Sequence, residues 1–232
     1  MDAFLRQTAA VLRKDLRREL RTREVLTTTV AFCVLLIVVF AFAFLRGNQS
    51  IAAVYPGILW VSVLFSATLV FTRTFAHESR EGCLRALTLV PGAPTALYAA
   101  KLAANTLFCL VFEAIFLPLL SLAFGVTFDA TLLGVAGILA VGTVGLAALG
   151  TMTGAMLVRN RLRDVLLPVV LYPLAVPVLI AGVEATRTRL AGGTAAAPGG
   201  IGWFQLLLAC DVVFVTCGYL LFRWILTPGS YE

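Results

Sequence analysis

Two acidic side chains, Glu113 and Asp211, fall inside long hydrophobic runs. A carboxyl group surrounded by hydrocarbon is costly unless it is neutral or partnered, so such groups mark proton or ion handling, or hydrogen bonds that fix helices to one another. At about 1.5 Å of rise per helical residue, Glu113 lies roughly 18 Å inward from Lys101 and Asp211 roughly 12 Å inward from Trp203. In a hydrocarbon core of about 30 Å, both fall at a similar depth in the outer half. The one Lys or Arg in either run, Arg223, closes the run of Asp211 at its far end, 12 residues away. The two acids read either as protonated, hydrogen-bonded groups or as walls of a shared wet cavity, and structural and functional use are both open.

The remaining candidates for chemistry are few. The single histidine, His77, lacks companions that would make it a metal or haem site. Cys33, Cys83, Cys109, Cys210 and Cys217 show no C-x-x-C spacing, and they read as small apolar packing residues. The sequence contains no Gly-Lys dipeptide and therefore no phosphate-binding G-x-x-x-x-G-K-[ST] loop. If ATP drives this protein, another polypeptide binds the ATP. After His77 comes a polar run, Glu78-Ser79-Arg80-Glu81-Gly82-Cys83-Leu84-Arg85-Ala86-Leu87, bounded by Pro91 and Pro94. With Leu84 and Leu87 on one side, it has the length of a short helix that docks in a groove on a soluble partner. A solvated loop is the other reading.

The elements that must position these groups follow from composition. Of 232 residues, 60% are hydrophobic and 13% charged, against about 25% charged in soluble globular chains. Six apolar stretches, Val25–Leu45, Ile51–Thr72, Leu102–Phe124, Leu132–Val158, Val165–Val183 and Trp203–Leu226, are each long enough to cross a bilayer as a helix. None alternates polar and apolar residues as barrel strands do. The expected fold is an all-α membrane protein of six transmembrane helices, divided into residues 1–24, a spanning domain over 25–226 and a tail at 227–232. No cleavable signal peptide is expected, because the first apolar run starts only at Val25.

Charge gives orientation. Of the 18 Lys and Arg residues, only Arg46, Arg187 and Arg189 lie in the segments opposite the N-terminus. The positive-inside bias places both termini, the 73–101 loop and the 159–163 loop in the cytoplasm. It also explains the net charge of +6 without nucleic acid. Residues Phe4 to Arg23 set Phe4, Leu5, Val11, Leu12, Leu16 and Leu20 at near-helical spacing among basic residues. They read as an amphipathic interfacial helix near anionic head groups, or as a simple extension of the first span. Pro168, Pro173 and Pro177 should bend the fifth span. Gly150 and Gly154 form G-x-x-x-G in the fourth, a face expected to make a close contact. Ala185 to Gly200 reads as a flexible linker.

Specific strings then carry a resemblance: Tyr55-Pro56-Gly57-Ile58-Leu59-Trp60-Val61, then Arg73, Phe75, Glu78, Gly82, Leu84, Leu87, Pro91 and Lys101, then Pro173-Leu174-Ala175-Val176-Pro177-Val178-Leu179-Ile180. In order and spacing, from about Arg17 to the sixth span, the chain resembles the cytochrome c maturation protein B family, the haem exporter permease subunit of an ABC-type transporter. The resemblance implies an ABC-2-type exporter permease-like fold in a bacterial inner membrane. It also implies partners: two copies of a separate ABC ATPase, a second copy of this chain, the haem-handling membrane protein C and the haem chaperone protein E. Haem and ATP would be handled by those partners, with no cofactor or metal bound here and no catalytic residue. Glu78, Glu81, Gly82, Leu84 and Leu87 would contact the ATPase, with Arg159, Arg161 and Asp164 as a second contact. A lipid, polysaccharide or drug exporter and a non-transporting assembly subunit that tethers the ATPase share the same topology.

Overall fold

The computed structural model describes residues 2–22, 24–44, 51–74, 93–158, 160, 162–192 and 202–226. Among them form seven helices and no sheet: α1 (Asp2–Thr22), α2 (Glu24–Phe44), α3 (Ile51–Thr74), α4 (Ala93–Phe124), α5 (Ala130–Leu157), α6 (Arg163–Leu190) and α7 (Trp203–Leu226). Apart from its terminal turns, a helix satisfies its backbone N–H and C=O groups within its own run, which is what an apolar chain without alternation requires. Helices α3 to α7 are long and apolar enough to cross a membrane. In α2 the apolar part, Val30–Phe44, is shorter, because the helix opens on Glu24 and the Thr27-Thr28-Thr29 run. The molecule is a multi-pass membrane protein.

Two boundaries differ from those expected by more than two residues. Helix α4 starts at Ala93 and not at Leu102, with Pro94 in the first turn where a missing N–H costs nothing. Lys101 is therefore a buried residue within a helix, not a loop cation. Helix α6 continues past Val183 to Leu190, so residues 185–190 are not linker. They are held by an Arg187 to Glu184 ion pair of 2.6 Å and by burial of Ala185 and Thr186. Gly192, at φ +65°, then ends the helix in the left-handed conformation that glycine adopts without strain. Pro168, Pro173 and Pro177 all lie inside this one continuous helix.

Helix α5 packs against α3, α4, α6 and α7. Its glycines let the large side chains of those neighbours approach its backbone. Trp60 of α3 is fully buried, and a methyl group on Gly142 of α5 or Gly182 of α6 would overlap its ring. The indole Nε1 donates to Thr186 Oγ1 of α6 at 3.0 Å. Gly150, the first glycine of the G-x-x-x-G pair, lies under the Phe71 ring of α3, and Gly154 is buried. The contact expected of that face is thus made within one chain. Where lipid removes the hydrophobic drive between helices, such close van der Waals packing holds them together.

Asp129 caps α5, its Oδ1 accepting from the Thr131 N–H at 2.8 Å and the Leu132 N–H at 3.2 Å. These two backbone donors hold its carboxyl below the ordinary aspartate value of 3.8.

Gly142→Ala is expected to destabilise the protein by about 1–3 kcal/mol through overpacking. Gly57, whose added Cβ would meet open space, should tolerate alanine, and there Gly57→Ala gains about 0.5–1 kcal/mol of helix propensity. Thermal unfolding in detergent checks the pair, and equal shifts would contradict the packing argument. The Asp129 cap has a depressed folded-state value, so its contribution is complete above 3.8 and is lost as pH falls through the lower folded value. Asp129→Ala should therefore lower the melting temperature at neutral pH, with the difference vanishing in strong acid.

Candidate functional site

Polar groups in this bundle collect along two seams. At the α1 end, Lys101 is 3% exposed, and its Nζ donates to Asp15 Oδ2 of α1 at 2.9 Å and to the Thr74 carbonyl of α3 at 3.0 Å. The last carbonyls of a helix have no partner within it and carry the negative end of its dipole, so a lysine there satisfies both needs. Asp15 is 14% exposed. Removing one member of such a pair leaves a buried charge uncompensated, at a cost of about 3–5 kcal/mol.

The seam continues inward. The Thr74 hydroxyl lies 2.7 Å from Asn105 Oδ1 of α4 and 3.1 Å from the Val70 carbonyl. Asn105 Nδ2 donates to Thr151 Oγ1 of α5 at 2.8 Å, and that hydroxyl donates to the Ala147 carbonyl at 2.7 Å. Asp15, Lys101, Thr74, Asn105 and Thr151 thus tie four helices in one chain of hydrogen bonds.

The second seam holds the carboxyl groups. Glu113 of α4 is 5% exposed and accepts from the Thr143 hydroxyl of α5. Asn105 to Thr151 and Glu113 to Thr143 are each eight residues apart on both helices. They are two rungs of one antiparallel pair, about 12 Å apart along the axis. Asp211 of α7 is 6% exposed. It lies against the α5 backbone at Gly145, where an added Cβ would overlap Oδ1. Neither of its oxygens has a hydrogen-bond partner among the described residues. The two acids therefore reach α5 at Thr143 and Gly145, from α4 and α7 respectively, within about 3 Å of helix rise. The two acids thus meet α5 at nearly one level.

Of the other residues singled out from the sequence, Asp164 is in the first turn of α6 with its side chain 71% exposed, 3.3 Å from Arg163 Nε. His77, Glu78, Glu81, Gly82, Leu84, Leu87, Arg159 and Arg161 lie outside the described residues. Cys33, Cys109, Cys210 and Cys217 are free thiols.

A family model described as CcmB protein matches residues 6–222. The chain belongs to the CcmB family. Among similar proteins is Heme exporter protein B of Paracoccus denitrificans, 32% identical over 183 residues, which are 79% of this chain and 84% of that protein. Heme exporter protein B of Bradyrhizobium diazoefficiens is 28% identical over 211 residues, 90% of this chain and 92% of the relative. The protein of the same name from Pseudomonas aeruginosa is 27% identical over 182 residues, 78% of this chain and 81% of the relative. Both seams, from Asp15 to Asp211, fall inside the stretch matched by the CcmB model.

Sequence reasoning found Glu113 and Asp211 but missed their surroundings. It passed over Asp15, Asn105, Thr143 and Thr151. The signal was present in part: Lys101, Asn105, Cys109 and Glu113 recur every four residues along one face of α4.

Removing the Asn105 hub leaves Thr74 and Thr151 with backbone carbonyls in reach, so Asn105→Leu should cost only about 1 kcal/mol. Thr151→Val strips the acceptor from a buried amide and should cost more, about 1–3 kcal/mol. The order of the two melting temperatures checks this, and a reversed order would mean the hydroxyls depend on Asn105.

Proposed function

We propose that this chain is the membrane permease subunit of an ABC-type complex for c-type cytochrome biogenesis. It couples ATP hydrolysis by a separate ATPase subunit to haem export or to release of a haem-loaded chaperone. The observation that carries the reading is the CcmB family match over residues 6–222, among relatives named Heme exporter protein B. The absence of any Gly-Lys dipeptide supports an ATPase on a different polypeptide. The distribution of Lys and Arg supports six crossings of a bacterial inner membrane, with α2 the first and both termini cytoplasmic.

On this reading, the α1 end of the bundle faces the cytoplasm. Two ATPase copies dock at Glu78, Glu81, Gly82, Leu84 and Leu87, with Arg159, Arg161 and Asp164 as a second contact. A second copy of this chain completes the membrane part. Haem-handling protein C and chaperone protein E work beside it and carry the haem, which is cargo of the complex. ATP-driven motion enters through the α3–α4 connection and is passed along the bundle by its buried polar contacts.

Deleting residues 82–87 should abolish co-purification of the ATPase while leaving membrane insertion intact. Retained co-purification would remove the assigned contact. In reconstituted complexes, hydrolysis stimulated by the haem-loaded chaperone is the expected result, and stimulation only by a hydrophobic drug would favour a general exporter.

A further inference from the structure

The segment joining α3 to α4 has two stems, and α1 touches both. One stem ends at Thr74, whose carbonyl accepts from Lys101 while Lys101 also pairs with Asp15 of α1. The other stem begins at Ala93, and there Thr8 Oγ1 of α1 lies at the limit of hydrogen-bonding reach, 3.5 Å from the Ala96 carbonyl. Val11 packs into the cluster of Leu97, Tyr98 and Phe222. Thr8, Val11 and Asp15 recur at i, i+3 and i+7, so one face of α1 makes these contacts.

The contact could have been purely apolar, and it is not. Apolar surfaces slide past one another at little cost, whereas an ion pair buried in a low-dielectric pocket holds one register because each partner left alone is a buried charge. From Lys101 the hydrogen-bonded chain runs through Thr74 and Asn105 to Thr151 on α5. Helix α5 packs on α3, α4, α6 and α7 and receives Glu113 and Asp211. A displacement of the stems therefore reaches the helix on which both intramembrane carboxyls rest.

We propose that α1 is a strap across the two stems and that Lys101, pinned between Asp15 and the end of α3, is the positioning residue that passes movement of the stems into the bundle. The inference rests on the reading that residues 78–87 contact the ATPase. Loss of Lys101 then leaves the ATPase bound and turning over while separating hydrolysis from output.

The test uses full-length variants in membranes carrying the complete complex, with three readouts: ATPase co-purification, ATP hydrolysis and c-type cytochrome formed. Lys101→Met should leave co-purification and hydrolysis intact and lower cytochrome formed per ATP hydrolysed by about 2- to 30-fold. Lys101→Arg, which keeps a cation with donors, should restore much of the ratio. Asp15→Asn should lower it in the same direction, and adding it to Lys101→Met should cause little further loss, since both act through one contact. If Lys101→Met does not accumulate in membranes, Asp15→Asn decides alone. A wild-type ratio in Lys101→Met and Asp15→Asn, or a loss that only follows the amount of protein in the membrane, overturns the strap. With the ATPase still bound, that result refutes the strap alone; failure of the wild-type chain to hold the ATPase refutes the proposed function and the strap with it.

Discussion

Helix α5 occupies the middle of the bundle because it has no side chain at the points where its neighbours press closest. Trp60 at Gly142, Asp211 at Gly145 and Phe71 at Gly150 each fill space that a single methyl group would close. In lipid, helices gain little by leaving one apolar medium for another, so stability comes from contact area and from hydrogen bonds with no competing water. The aromatic rings supply area, and the glycines let them reach the backbone. The α3–α5–α6 arrangement is then fixed by one indole, which also finds a hydroxyl partner at Thr186.

Close packing sets the terms for the polar groups. The hydroxyls of Ser62, Thr68 and Thr153 donate to carbonyls within their own helices, which conceals them from hydrocarbon without a partner helix. Asn105 and Glu113 cannot do this with so short a reach, and both cross to α5. The result is a helix pair held in register by two rungs, an economical use of polar groups in a medium where each unpaired one is expensive. Asp211 departs from the pattern, with no partner among the described residues. That makes it the least satisfied buried side chain among the described residues.

Helix α1 adds a different kind of constraint. Its sequence reads as a surface helix, and its cationic side agrees, since Arg6, Arg13 and Arg17 are exposed. Its other face binds α4 through Val11 and the Asp15 to Lys101 pair. The N-terminal helix is thus fastened to the bundle through α4.

The sequence alone determined that this is a helical membrane protein, where its long apolar runs lie and which of its acids fall within them. These properties follow from local composition and from the length of helix that spans a bilayer, so each can be read in one run without knowing the others. The family was also legible, in short strings whose order survives in one dimension. Whether Gly142 or Gly137 faces an aromatic ring, that Lys101 is buried and paired with Asp15 across 86 positions, and that residues 185–190 stay helical were decided only by tertiary structure. In each case the deciding partner sits on another helix, and neither hydropathy nor periodicity says which faces of two helices meet.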